Sequence, residues 1–380
     1  MKPGTYEPVG PDSEVVTDIL ETEHAQESAL YVGDNIEVSP RLSVYLGLRY
    51  SFYQYLGPRT VFTYPSGAPR EEATIADTVH YSSGSTVASY TGPEPRISVR
   101  YSLPGNASVK FSYNRTRQYI HMLSNTTAIA PTDTWKLADQ YIPPQIGDQI
   151  AIGFYKNIKG SVLETSVEAY YKDLKNAIDY KGSATLLLNH HLETDILTAV
   201  GQAYGVELLV KKPGGKLNGW MSYTYSRSLL KTQGQFSSET VNGGRYYPSN
   251  YDKPHAVNFV GNYKFNRRFN FSLNTTYSTG RPITFPLAKY DLGGSPRLYY
   301  SERNKYRIPD YFRLDISINV EGNHKIRKLA HSSWTFAVYN VTGRENAYSI
   351  YFTAVDGKVT GYKLSVFARP IPTITYNFKF

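Results

Sequence analysis

The sequence predicts an all-β fold, a transmembrane antiparallel β-barrel, from three observations. Apolar and polar residues alternate with period two from residue 40 to the end, in stretches of about ten residues, the length that a tilted strand needs to cross a bilayer. Tyrosine makes up 35 of the 380 residues, and its apolar body and polar tip suit an apolar surface that meets water. Short and long connections take turns between the strands.

The alternation is clearest near both ends of the chain. One early strand has an apolar face made of Leu42, Val44, Leu46, Leu48, Tyr50 and Phe52. The same pattern covers 97–103 and 107–114, on either side of the turn "PGN" at 104–106, and returns in 269–278 and 312–321. Strands with one apolar and one polar face are typical of a barrel with lipid outside and a polar interior.

The connections separate into two classes by length. Tight turns are predicted at 104–106, 157–160, 212–216 and 266–268. Long loops are predicted at 57–94, 121–147, 181–200, 231–252, 280–306 and 353–370. Because antiparallel neighbours alternate in direction, all the tight turns lie at one end of the sheet and all the long loops at the other. That asymmetry is typical of outer-membrane barrels.

Counting back from Phe380 gives about thirteen strands, the earliest of them "QESALYVGDNIEV" at 26–38. We therefore divide the chain into an N-terminal segment or loop at 1–24 and barrel sequence at 25–380. The first and last strands of an odd antiparallel set run in the same direction and cannot close the sheet on each other, so we expect further strands before Met1.

Composition excludes several classes of protein. With 41% hydrophobic and 19% charged residues the chain is not disordered. The net charge of +9 is scattered along the chain, which does not indicate a nucleic-acid partner. The absence of cysteine excludes disulfides, thiolate metal sites and a cysteine nucleophile. "MKPGTYEPVG" is not a signal peptide, and no apolar run approaches the ~18 residues of a spanning helix.

Two groups of residues resemble catalytic or metal sites but are better explained otherwise. "NHHLETD" holds His190, His191, Glu193 and Asp195. Adjacent side chains on an extended segment point to opposite sides, so the two histidines cannot easily share an ion. We therefore interpret these residues as ordinary polar residues of a loop. "YDKPH" holds Asp252, Lys253 and His255, but no serine nucleophile in a strand-turn-helix setting accompanies them, so a structural rim cluster is favoured. We predict no catalytic residue, no metal site and no cofactor.

Two further groups are candidates for contact with a ligand. "RNKYRIPDYFRLD" supplies a polar cluster for the barrel interior, Arg303, Arg307, Asp310, Arg313 and Asp315. The long loops supply three aromatic candidates, Trp135, Tyr246 and Tyr247. The alternatives are contact of the polar cluster with another domain or an anionic ligand, and packing of the aromatics between loops or in an interfacial girdle.

Several blocks of sequence carry a resemblance to a known family. They are "NYDKPHAVNFVGNYKFNRRFNFSLNTTYSTGRPITFP", "YSERNKYRIPDYFRLDISI", "WTFAVYNVTGRENAY" and the aromatic-ended last strand "IPTITYNFKF". In order and spacing they resemble the C-terminal half of the barrel of TonB-dependent outer-membrane receptors. The closest similarity is to the branch with an N-terminal carboxypeptidase-regulatory-like domain, and it covers residues 27–380.

The resemblance implies a Gram-negative outer-membrane protein with a barrel of about 22 strands and an N-terminal plug, which takes up a siderophore, vitamin or glycan. This chain would supply about thirteen of those strands without the plug, so contact with the TonB complex would require the missing plug. The other implied partners are outer-membrane lipid, a surface lipoprotein and the barrel assembly machinery. That machinery would read Tyr376, Phe378 and Phe380 as a strand-addition signal, unless these residues simply face lipid.

Two other functions stay open at this point. The first is a passive outer-membrane porin or adhesin barrel, which would have no plug. The second is a secreted β-rich carbohydrate-binding or carbohydrate-active protein. An enzyme of that kind needs two carboxylates across a cleft, whereas Glu164 and Glu168 are four residues apart along one predicted strand. We therefore favour a non-enzymatic transport receptor.

Overall fold

The computed structural model describes residues 5–6, 18–19, 21–123, 134–158, 160, 162–182, 184, 186, 189–292, 295–322, 331–355, 358–366 and 368–379. Within these residues, thirteen strands follow one another in chain order across one antiparallel sheet. They are β1 (His24–Ser39), β2 (Leu42–Leu56), β3 (Thr86–Leu103), β4 (Ala107–Gln118), β5 (Gln145–Ile158), β6 (Leu163–Tyr180), β7 (Ile196–Lys212), β8 (Leu217–Lys231), β9 (His255–Lys264), β10 (Phe269–Ser278), β11 (Tyr311–Glu321), β12 (His331–Tyr339) and β13 (Ile371–Lys379). The predicted all-β fold and strand number are confirmed.

The two faces of the sheet differ in chemistry, as the alternation predicts. In β2, Leu48 and Phe52 are exposed on one face, while Ser51 and Tyr53 are buried on the other. The ladder between β5 and β6 pairs Phe154 with Val167, so apolar residues meet apolar residues across strands. Exposing such a face to water would cost about 25 cal/mol per Å². It therefore fits contact with lipid.

The opposite face carries polar side chains that bond to each other. Arg49 of β2 donates to Glu94 of β3 and, at 2.8 Å, to Glu27 of β1. Arg313 and Asp315 on β11 form a second pair, with Nε 2.8 Å from Oδ1. A polar inner face is expected of a barrel interior.

The alternation of connections is also confirmed. The connections are short at 40–41, 104–106, 159–162, 213–216 and 265–268, and long at 57–85, 119–144, 181–195, 232–254, 279–310 and 340–370. Most of the remaining connection, 322–330 between β11 and β12, lies outside the described residues. The last loop begins at 340, earlier than the predicted 353. The reason is that Ala347–Val355 pairs with Lys358–Ser365 in a separate two-stranded hairpin.

The other long loops also contain short hairpins and turns. Four further pairs are Arg59–Thr63 with Asp77–Tyr81, Ile120–Leu123 with Thr134–Leu137, Pro282–Ile283 with Tyr306–Arg307, and Pro286–Leu292 with Ser295–Tyr300. Tyr247–Pro248 adds to β8, and Thr5–Tyr6 pairs with Asp18–Ile19 before the sheet. In the described part of the chain, the helical segments are one α-helical turn, Leu192–Asp195, and three 3-10 turns, Glu72–Thr74, Ser237–Glu239 and Asn242–Gly244. None of the described helices has the length and apolar character to span a membrane.

The buried core lies at the long-loop end of the sheet. One cluster joins Tyr53 and Tyr55 of β2 to Tyr119 and Ala138 of the loop after β4. A second cluster joins loop residues to the start of β7, and consists of Leu123, Ile142, Leu192 and Ile196. The long loops thus fold as a packed layer over the ends of the strands. The proposed division at residue 24 stays a prediction, although β1 begins there.

Candidate functional site

A cavity of about 510 Å³ lies where β4 to β8 enter the long loops. Its wall includes the aromatic side chains of Trp135, Tyr247 and Tyr251 and the amide side chains of Gln118, Gln145, Asn250 and Asn304. Ligand pockets of this size commonly combine aromatic walls with a few polar groups. This is the largest concentration of predicted ligand contacts that the described part of the chain brings together.

Trp135 reaches the cavity from the hairpin Ile120–Leu123 with Thr134–Leu137. Its ladder partner is Met122, and both residues line the cavity. Trp135 is 43% exposed, whereas the side chain of the next residue, Lys136, is 5% exposed. Successive side chains of a strand point to opposite sides, so Trp135 and Lys136 lie on opposite faces of the hairpin.

Lys136 holds the hairpin through two buried carboxylates. Its Nζ lies 2.5 Å from Glu23 Oε1 and 2.7 Å from Asp139 Oδ2, and 5.1 Å from the centre of the Tyr55 ring. Burial lowers the pKa of Lys136, but Asp139 and Glu23 more than compensate, so the net pKa is raised. Lys136 is therefore a permanent cation, and removing it would take this positive charge away from two buried carboxylates.

His121, the ladder partner of Lys136, also lines the cavity. It is 3% exposed, and its Nε2 has no hydrogen-bond partner among the residues that the structure describes. Burial and, second, the charge of Lys136 lower the pKa of His121 to about 4, so the ring is neutral near pH 7. No sequence pattern indicates a role for this residue, because a single histidine in a loop forms no motif.

Tyr247 forms a rigid part of the opposite wall. It is buried, and its hydroxyl bonds Asp179 of β6 and lies 2.7 Å from the Thr232 hydroxyl. Asp179 also accepts from Arg303. Burial and then the Asp179 charge raise the pKa of Tyr247. The Tyr247 hydroxyl is therefore occupied by hydrogen bonds within the protein, and only the ring can contact a ligand.

Tyr246 lies away from the cavity, although it is adjacent to Tyr247. It is exposed, and its hydroxyl accepts from Gln202 Nε2 of β7 at 2.9 Å. Of the three predicted aromatic contacts, the structure thus brings Trp135 and Tyr247 to one cavity and leaves Tyr246 outside it. Contact of any of them with a ligand stays a prediction.

The five predicted polar residues from 303 to 315 do not converge on one site. Arg303 bonds Asp179 and Arg307 bonds Asp252. Asp310 accepts from the Tyr277 hydroxyl at 2.7 Å and from Gly280 N at 2.9 Å; the Gly280 amide and then Tyr277 lower the pKa of its carboxyl. Arg313 pairs with Asp315 on the inner face of β11. The five side chains therefore take part in separate contacts, in different loops and on β11.

Asp252 is the centre of a buried cluster at the rim. Its side chain is fully buried and accepts from Arg227 Nε at 3.1 Å, from Ser228 N at 2.7 Å and from Arg307. His255 points elsewhere, with Nδ1 3.0 Å from the Tyr223 hydroxyl. The arrangement is that of a structural rim cluster, as we expected for "YDKPH".

The histidines of the 181–195 loop also make loop contacts. His191 lies 3.8 Å from Glu193 Oε1 and 4.0 Å from Glu72 Oε1, and the Tyr64 hydroxyl donates to Glu193 at 2.8 Å. In the ranges that the structure describes, no group of three or more His, Cys, Asp or Glu residues is arranged to hold a metal ion.

Two of the three predicted assembly-signal residues are described. Tyr376 and Phe378 are exposed on the apolar face of β13, and the Tyr376 ring lies 4.6 Å from that of Trp334 on β12. Phe380 lies outside the described residues. Recognition of this strand stays a prediction.

A sequence profile of the family described as TonB dependent receptor-like, beta-barrel matches residues 2–341. No curated protein matches the sequence significantly. The fold is similar to the closed form of the ferric-catecholate import receptor Fiu from E. coli K12, with 16% identity, a TM-score of 0.55, and coverage of 93% of this chain and 44% of that one.

Two further solved structures have the same fold. One is the FrpB iron transporter (F3-3 variant) from Neisseria meningitidis, with 12% identity, a TM-score of 0.57, and coverage of 95% of this chain and 46% of that one. The other is the siderophore receptor PiuA from Acinetobacter baumannii, with 15% identity, a TM-score of 0.58, and coverage of 93% and 43%. The chain thus spans less than half the length of these structures.

Proposed function

Because this chain belongs to the TonB-dependent receptor-like β-barrel family, we propose that it is part of an outer-membrane receptor for active uptake of a scarce ligand. Membership places it in the outer membrane of a Gram-negative bacterium. The proposed ligand is a siderophore, a vitamin or a glycan, and the proposed function is transport without catalysis.

One observation carries the proposal: the sheet separates an apolar outer face from a polar inner face, and a cavity with aromatic walls lies at its long-loop end. The long loops cover that end, and extracellular loops are the long ones in outer-membrane barrels. A ligand arriving from outside would therefore meet the cavity first. The polar face beyond it, with pairs such as Arg49 with Glu94, would line the passage.

Energy coupling belongs to the proposal for the whole protein. In the intact receptor, the TonB complex would act on a plug inside the barrel. The loops described here would bind the ligand and hold it at the entrance. The similar structures Fiu, FrpB and PiuA are named as import receptors or transporters for iron or siderophores, which supports uptake of a scarce nutrient.

The test is uptake by the native host with and without this protein. A deletion strain should lose uptake of one class of labelled ligand, among ferric siderophores, cobalamin and oligosaccharides, when that nutrient is scarce. In the parent strain, an uncoupler that dissipates the proton-motive force should abolish the same uptake. Uptake that depends on the protein but survives the uncoupler would indicate a passive porin and contradict the proposal.

A further inference from the structure

The cavity at the long-loop end has an unusual lining for a site that would bind an anion. None of the described residues that line it is lysine or arginine. Anionic ligands are normally held by Arg or Lys, which supply charge-assisted hydrogen bonds.

Besides tyrosines, the ionisable residues described in the cavity wall are His121 and Asp179. Neither of them provides a positive charge. His121 is neutral, since its ring is buried beside the Lys136 ammonium. Asp179 is paired with Arg303 and accepts from Tyr247. An anionic ligand that entered the cavity would lose hydration without gaining a cation, which carries a large desolvation cost.

The groups that remain available favour stacking and neutral hydrogen bonding. The rings of Trp135 and Tyr251 are 43% and 59% exposed. The Gln145 amide lines the cavity, where it offers hydrogen-bond donors and an acceptor to a ligand. Gln118 donates a hydrogen bond from Nε2 to the Ile120 carbonyl oxygen at 2.8 Å. Its side-chain oxygen can accept a hydrogen bond from a ligand. Flat rings beside amides suit a molecule with apolar C–H faces and many hydroxyls.

We propose that this cavity binds an uncharged, polyhydroxylated ligand with the chemistry of a neutral oligosaccharide, in preference to an anionic ferric chelate. This inference rests on the proposed uptake function and names the class of substrate for it. Trp135 and Tyr251 stack on the ligand, and Gln145 and the oxygen of Gln118 bond its hydroxyls.

The experiment uses tryptophan fluorescence of the complete chain in detergent. Its three tryptophans are Trp135, Trp220 and Trp334, and the last two are exposed on the apolar strand face. The double variant Trp220→Phe/Trp334→Phe leaves Trp135 as the reporter in the cavity. The probes are maltotriose, cellotriose, xylotriose and chitotriose, compared with a ferric tris-catecholate.

We expect at least one neutral trisaccharide to change Trp135 emission in a saturable way that is unaffected by raising NaCl from about 0.05 to 0.5 M. By calorimetry, Trp135→Ala and Tyr251→Ala should each weaken that binding about tenfold. Tyr246→Ala is the matched control, because Tyr246 lies outside the cavity, and it should bind as the parent does.

Saturable binding of only the tris-catecholate, lost in Trp135→Ala, would overturn the inference while leaving the proposed uptake function intact. Binding of neither class would overturn it as well. The uncoupler-sensitive uptake assay makes no assumption about this cavity, so its result then decides separately whether the transport function stands.

Discussion

Nζ of Lys136 lies 2.5 Å from Oε1 of Glu23, although the two residues are 113 positions apart in the chain. Glu23 immediately precedes β1, and Lys136 belongs to the hairpin that carries Trp135. A second carboxylate, that of Asp139, lies 2.7 Å from the same nitrogen. The buried Lys136 ammonium therefore links the hairpin in the cavity wall to the start of β1.

We predict that Lys136→Met loosens this hairpin. The change leaves Glu23 and Asp139 buried without their cation, which costs about 3–5 kcal/mol at such sites. Hydrogen exchange of 134–139 should accelerate, and the free energy of unfolding should fall. Lys305→Met is the control, because Lys305 is 54% exposed and lies 3.4 Å from Glu302. Equal effects of the two variants would contradict the anchoring role.

Asp252→Asn should destabilise the rim. The buried carboxylate holds Arg227 and Arg307, and the amide would present a donor to one of them. We expect a loss of about 3–5 kcal/mol, measured as the midpoint of urea unfolding in detergent. Glu302→Gln, at an exposed pair with Arg245, should change the same midpoint by less than about 1 kcal/mol. A parent-like Asp252→Asn variant would show that the rim does not depend on this charge.

Stability should fall as the pH falls from about 6.5 to about 4, because of His121. Burial and Lys136 lower its pKa to about 4 in the folded chain, so between these values the unfolded chain binds more protons. At 1.36 kcal/mol per pKa unit, the loss is at most about 3 kcal/mol. His121→Gln should flatten this part of the pH profile. His80→Gln, at an exposed position, is the control for the substitution itself. An unchanged slope in His121→Gln would refute the assignment.

Gly280→Ala should destabilise the loop that follows β10. A Cβ at Gly280 would lie 1.7 Å from the Ile308 carbonyl oxygen, so the backbone must move, at a cost of about 1–3 kcal/mol. Gly182 is a matched control in another long loop, since a Cβ there meets no atom of the described residues within 4 Å. Thermal unfolding should place Gly182→Ala at or above the parent and Gly280→Ala below it. The reverse order would mean that the two loop segments do not pack as described.

The apolar face of β13 should be needed for assembly. We expect Tyr376→Ser and Phe378→Ser, and likewise Phe380→Ser, to reduce the fraction of chain that reaches the outer membrane in heat-modifiable form. The physical reason is that strand addition uses alternate side chains for specificity. Thr375→Ser changes the other face and should assemble as the parent does. Normal assembly of all three aromatic variants would mean that these residues contact lipid and are not a recognition signal.

The sequence by itself determined the strands, their faces and the order of short and long connections. The alternation at 269–278 corresponds to β10, Phe269–Ser278, and the predicted first strand at 26–38 lies within β1. These features follow from local rules, because side chains of a strand alternate between two faces and tight turns need particular residues. They can be predicted from the sequence without knowing which loops contact each other.

Only the tertiary structure decided which loop residues share a site. It separated Tyr246 from Tyr247, distributed the polar residues from 303 to 315 among different partners, and brought His121, Trp135 and Asp179 to one cavity. The contact between Lys136 and Glu23 likewise joins residues that no local pattern relates. The reason is physical: a strand's environment is set by its own period, whereas the surroundings of a loop side chain depend on how distant loops pack over the ends of the sheet.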